Sequence, residues 1–203
     1  SATTSFVSGG CGGGIHNHGS LTVSNSTISG NSAARHGGGI FNNSNLTLTN
    51  STLSGNSASS RGGGIYNSGN NLTITNSTLS GNSAGTYGGG INNIRTLTLT
   101  NSTLSGNSAN SGGGISNLSD STLNIANTII ANSTSGGDYA GNGTVTLIPS
   151  GNSNNPTISA NNIVTQASSS ATSAWAQSVT SAQLNLGPLQ NNGGPTFTMA
   201  LGA

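Results

Sequence analysis

The stretch GGGIFNNSNLTLTNSTLSGNSASSR, from Gly37 to Arg61, decides the fold, because the residues after it repeat it almost unchanged. Gly62 to Tyr87 reads GGGIYNSGNNLTITNSTLSGNSAGTY. Further Gly-Gly-Gly-Ile blocks start at Gly12, Gly88 and Gly112, so the five blocks are spaced 25, 25, 26 and 24 residues apart. Gly136-Gly137-Asp138-Tyr139 follows as a degenerate copy. Within a unit the apolar residues alternate, as in Leu46-Thr47-Leu48-Thr49 and Leu72-Thr73-Ile74-Thr75. That period of two, with β-branched residues between, is the pattern of a strand. Helical periodicity is absent except for a weak trace around residues 171–181.

Three short strands and three turns in about 25 residues make one coil of a solenoid. One such coil cannot bury its apolar face, but stacked coils can, each strand pairing in parallel with its copy about 4.8 Å away. The expected fold is therefore all-β, a right-handed parallel β-helix (β-solenoid) with about 25 residues per coil; the hand follows from the general preference of parallel crossovers. Ile15, Ile40, Ile65, Ile91 and Ile115 form one inward ladder. Leu21, Leu46, Leu72, Leu97 and Leu123 form a second, and Ile28, Leu53, Leu79, Leu104 and Ile129 a third. The chain divides into a lead-in at 1–11, regular coils at 12–135, and degenerate coils with a cap or subunit-contact segment at 136–203.

Two sets of asparagines recur in phase. Asn31, Asn56, Asn82, Asn107 and Asn132 end the third strand, and Asn17, Asn42, Asn67, Asn93 and Asn117 follow the Ile ladder by two residues. An amide stacked on its own copies can donate to one coil and accept from the next. These are read as structural ladders rather than ligand sites, because buried amides are nearly always satisfied internally. The triplets Asn25-Ser-Thr, Asn50-Ser-Thr, Asn76-Ser-Thr and Asn101-Ser-Thr fit the N-glycosylation pattern. Their fixed place in every repeat is explained by the repeat itself.

Composition narrows the function. Charged residues are 2% of the 203, against roughly a quarter in ordinary domains. They are Arg35, Arg61, Arg95, Asp120 and Asp138; Lys and Glu are absent. Such a surface cannot neutralise phosphates, which excludes nucleic acid as a partner. It has no basic patch for anionic lipid, and no apolar run approaches a membrane span. Cys11 is the single cysteine and forms no internal disulfide. The small residues Ser1, Ala2, Thr3 and Thr4 fit a chain left after removal of a signal peptide, or equally a boundary within a longer chain.

Chemistry has few candidates. Glycoside hydrolysis generally needs two facing carboxylates, and Asp120 and Asp138 differ in repeat phase, so both are read as turn residues. They are also too few for a calcium cluster. His16 and His18 alternate on one strand and share a face; His36 lies close in phase to Cys11, which together suggest a surface Cys/His metal site. Against it, the column before GGG reads Cys11, His36, Arg61, Tyr87, Ser111, and the column after Ile reads His16, Phe41, Tyr66, Asn92, Ser116. Variable columns of this kind are expected to face solvent. The reading is of a chain with no catalytic, metal or cofactor site.

GGGI-x-N followed by LTLTNSTLSGNSA resembles the repeats of bacterial surface β-helix proteins, among them the polymorphic outer-membrane-protein repeats. It is most similar to surface proteins with a choice-of-anchor Q domain, whose tail resembles Leu186-Gly-Pro-Leu-Gln-Asn-Asn-Gly-Gly-Pro-Thr-Phe-Thr-Met-Ala-Leu201. The resemblance implies an exported β-helix displayed outside the cell, with no catalytic residues to carry over. Members of that family commonly continue past the tail into an anchoring segment, and the departure at Ala203 leaves a released or assembled product open. The functional expectation is a non-enzymatic extracellular structural protein that self-associates head to tail through residues 1–11 and 140–203 into a filament or surface layer. Alternatives are a surface adhesin that binds glycans through an aromatic column of Phe41, Tyr66 and Tyr87, and an ice-binding protein using the outward column Thr22, Thr47, Thr73 and Thr98. Thr at outward strand positions is also ordinary β-propensity.

Overall fold

The computed structural model describes residues 10–148, 162–164, 177–178, 186–190 and 198–201. Trp175, Pro149, Pro156, Pro195 and the first nine residues lie outside them. The described chain is a parallel β-solenoid. One six-stranded sheet stacks Ile15–Asn17, Ile40–Asn42, Ile65–Asn67, Ile91–Asn93, Ile115–Asn117 and Tyr139–Ala140. A second stacks Leu21–Ser24, Asn45–Thr49, Asn71–Thr75, Thr96–Thr100, Thr122–Ala126 and Thr144–Leu147. A third runs from Thr27–Ser29 through Thr52–Ser54, Thr78–Ser80, Thr103–Ser105 and Ile129–Ala131 to Ile163–Val164 and Gln177–Ser178. The last of these strands falls where the sequence carried its trace of helical period. Each early coil also has a fourth strand that the pattern did not announce: Ser32–Ala33, Ser57–Ala58 and Ser83–Ala84. Two residues are too few to show an alternation. The tail segments Leu186–Gln190 and Thr198–Leu201 pair antiparallel.

Register holds residue for residue between coils, with Leu46, Leu72, Leu97 and Leu123 on one rung position. The core is made of these rungs. Ile40, Ile65, Ile91, Leu53, Leu79 and Leu104 are all 0% exposed. Burying one such side chain contributes about 1.5–3 kcal/mol.

The third ladder needs a correction at the fifth coil. Leu104 pairs with Ile130, and Thr103 with Ile129. The step from Leu97 to Leu104 equals that from Leu123 to Ile130, so Ile130 is the residue in phase and is fully buried. Ile129 takes a Thr position and is half-buried. The same step moves Asn132 out of its expected ladder. It occupies the place of Gly106, with a φ of 56° against 65° in that glycine. Asn tolerates this left-handed backbone better than most residues. Ser133 then stands where Asn107 stands one coil below.

Candidate functional site: amide ladders, a roofed column and a threonine face

The first asparagine ladder runs through the corner between the first and second sheets. The Asn17 amide donates to Asn42 Oδ1 at 2.7 Å, Asn42 to Asn67 at 2.8 Å, Asn67 to Asn93 at 2.7 Å, and Asn93 to Asn117 at 2.8 Å. Each amide spends a second proton on a backbone carbonyl where the second sheet begins, as Asn67 does on Thr96. The second ladder is bidentate. Asn56 Oδ1 accepts from both the backbone and the side-chain amide of Asn31, and Asn82 and Asn107 repeat the arrangement. The third glycine of each of the first four triplets faces this ladder; a methyl on Gly64 would press on the Gly90 carbonyl and the Asn82 amide.

At the degenerate sixth block the two partners exchange sizes. Ser133 replaces the asparagine and Asp138 the glycine. The Asp138 carboxylate, 0% exposed, accepts the Ser133 N–H at 2.8 Å, the role an asparagine oxygen plays in the coils before. Asp138 is therefore not the turn residue expected. Asp120 is one, exposed and at φ 64°.

The Asn-Ser-Thr triplets also have a structural office. Asn25, Asn50, Asn76 and Asn101 turn the corner with φ between 48° and 50°. The following serine hydroxyl donates back across the corner, Ser51 to the Thr49 carbonyl at 2.8 Å, and accepts the Ser26 N–H of the coil below at 3.2 Å. The threonine opens the third sheet.

The column His16, Phe41, Tyr66, Asn92, Ser116, Ala140 lies on the outer side of the first sheet. Sequence variability suggested solvent; the structure shows a roof. Tyr66 is 8% exposed, Ser116 1% and Asn92 0%. The cause is the first glycine of each triplet. Gly62, at φ 65°, lays the preceding residues so flat against the strand that a methyl there would meet the Ile65 carbonyl. The roof column is His36, Arg61, Tyr87 and Ser111, joined by single parallel bridges.

Rings fill the space beneath the roof. His16 meets Phe41 edge-on at 4.7 Å between centroids, Phe41 stacks on Tyr66 at 5.2 Å, and His36 covers Tyr66 at 4.8 Å. Tyr87 is not in this stack. It belongs to the roof, 37% exposed, with the Arg61 guanidinium 5.3 Å from its ring centre. The aromatic column expected for glycan binding is thus split, with Tyr66 inside and Tyr87 outside.

His16 and His18 do share a face, with ring centres 4.1 Å apart. Among the described residues no three His, Cys, Asp or Glu side chains gather as a metal site requires. Among the described residues His16 Nε2 and His36 Nδ1, both buried, have no hydrogen-bond partner. Burial, and then the neighbouring His18, lowers the pKa of His16 below the ordinary value. Burial does the same for His36, followed by the charges of Arg35 and Arg61 and partly opposed by a backbone hydrogen bond at Arg35. Both amide ends of Asn92 also lack a partner among the described residues.

The outer side of the second sheet is open. Its outward rows are Thr22, Thr47, Thr73, Thr98, Asn124, Thr146 and Ser24, Thr49, Thr75, Thr100, all exposed or half-buried. Sequence reasoning had found the first row. The second follows from the same alternation. In the third sheet the middle threonines are buried, Thr52 being 1% and Thr78 5% exposed, while Thr27 is exposed and Thr103 half-buried.

Compared with protein-family models, with curated proteins and with solved structures, the chain matches none. Among the described residues no helix is long and apolar enough to cross a membrane.

Proposed function

We propose that this chain is a non-enzymatic extracellular structural protein, a rigid and nearly uncharged rod whose coils associate end to end into a filament or surface layer. The observation that carries the reading is the continuity of its ladders. The rungs of the first four coils offer like apolar side chains, amides and strand edges to the next coil, so a like coil from a second copy meets a matching surface. In the first described coil Ile15, Leu21, Val23 and Ile28 are only partly buried, whereas their counterparts Ile40, Leu46, Leu48 and Leu53 are 0–2% exposed. Among the described residues nothing pairs with the outer edge of Ile15–Asn17, Leu21–Ser24 or Thr27–Ser29. Contacts of this head-to-tail kind do not close and so propagate.

The low charge removes the usual protection against edge pairing. The extracellular setting rests on the resemblance to bacterial surface β-helices. The two carboxylates support a non-catalytic reading: one is exposed in a turn and the other ends an amide ladder. Sedimentation over a range of concentrations tests the proposal. Growth of large species with concentration, suppressed by Val23→Lys at the first described coil, is the expected result. A monomer at every concentration and salt overturns it. An adhesin reading draws on the exposed Tyr87–Arg61 pair, and glycan-array binding lost in Tyr87→Ala is its test.

A further inference from the structure

We propose that the outer face of the second sheet binds ice. Three rows cross this face in register. They are Thr22, Thr47, Thr73, Thr98, Asn124 and Thr146; Ser24, Thr49, Thr75 and Thr100; and Asn45, Asn71, Thr96, Thr122 and Thr144. The result is a two-dimensional grid of hydroxyls and methyls. Its periods are about 4.8 Å between coils and about 6.8 Å between alternate residues of a strand. Thr75 and Thr100 hydroxyls stand 3.1 Å apart, so neighbouring rungs of their row can share a hydrogen bond before the row closes at Ala126.

The grid is held stiffly. Threonine side chains have a restricted χ1. The apolar rungs lie directly beneath, and the Asn17-to-Asn117 ladder pins the start of each strand through bonds such as Asn17 to the Asn45 carbonyl and Asn93 to the Thr122 carbonyl. Continuous side-chain ladders are the circumstance in which sheets stay flat.

The chemistry selects the partner. None of these rows holds Arg, Asp, His or an aromatic residue. A protein partner is normally anchored by Trp, Tyr or Arg, and an ionic one needs charge. What matches a repeating, uncharged grid is a ligand that is itself a lattice with spacings of this size and offers both hydrogen bonds and methyl-sized hollows. Ice is such a lattice. Each contact is weak, but contacts on one rigid body add without a further loss of freedom. The third sheet is less suited, because its threonine row passes from exposed Thr27 through buried Thr52 and Thr78 to half-buried Thr103 and ends at Ile129. This reading is independent of the end-to-end association proposed above, since it uses a side of the rod and not its ends.

The test is thermal hysteresis and ice-recrystallisation inhibition of the full chain. The chain is expected to open a gap between melting and freezing and to facet growing crystals. Thr73→Tyr, at the centre of the grid, is expected to lower that gap several-fold with an unchanged melting curve. Ser32→Tyr, adding the same bulk on the fourth sheet, is expected to leave the gap intact. Should Thr73→Tyr unfold the chain, the gentler Thr98→Leu gives the same reading. A wild-type chain with no hysteresis overturns the proposal, as does a folded Thr73 or Thr98 variant with full activity.

Discussion

The outer sides of the first and second sheets are built on the same coils, yet one is roofed and the other open. The roofed column accepts His, Phe, Tyr, Asn, Ser and Ala; the open grid holds almost only Thr, Ser and Asn. Ordinarily a column that varies is one that faces water. Here the variable column is the buried one, because a glycine hinge folds the preceding turn over it and the roof varies along with what it covers. Where His36 lies above, Tyr66 lies below.

Substitution at equivalent outward positions sharpens the contrast. Tyr66→Ala is expected to destabilise the chain by about 3 kcal/mol, as loss of a buried aromatic ring does. Thr73→Ala on the open grid should stay within about 0.5 kcal/mol. Chemical denaturation of the two variants measures both, and equal losses would erase the distinction between the faces.

Gly62→Ala strains a left-handed backbone and pushes a methyl into the Ile65 carbonyl. It is expected to cost about 2 kcal/mol and to raise hydrogen exchange at Tyr66 while sparing Thr73. Asn92→Leu should act in the opposite direction. It replaces a buried amide that has no partner among the described residues by an apolar group of similar size, and a gain of about 1 kcal/mol is expected. A loss would mean that the amide is held by a partner the fold brings to it.

Acid gives the smallest effect. His16 and His36 titrate below the ordinary value of 6.5 when folded, so the unfolded chain takes up protons that the folded chain refuses. Stability is therefore full above about pH 6.5 and falls as the pH drops from there toward the folded values. The melting temperature should decline slightly across that window, and the double variant His16→Phe, His36→Phe should flatten the slope. A melting temperature that rises on acidification would reverse the sign assigned to these histidines.

Most of the solenoid was legible because repetition turns one strand pattern into columns. The Ile15-to-Ile115 and Leu21-to-Leu123 rungs and the asparagines from Asn17 to Asn117 could be read by counting along the repeat. Counting failed where the copy decays. Asn132 looked like a ladder member because an asparagine stood at nearly the right distance, but Ile130 rather than Ile129 holds the phase, and the ladder passes to Ser133 and Asp138. The roof was illegible for another reason. Its cause is a positive φ at the first glycine, and a glycine triplet in sequence does not say which of the three turns left-handed or what lies under the turn. The Ser-Ala strand and the Ser51–Ser26 hydroxyl ladder are similarly local, being set by backbone contacts between coils.

Each coil is a template for the next within the chain, and the proposed filament extends that templating to a second copy. Cryo-electron microscopy of the protein at high concentration tests it most directly. The expected result is long unbranched fibres whose layer spacing of about 4.8 Å continues through the subunit boundary. Isolated short rods at every concentration, or fibres joined side to side with their ends free, would contradict it.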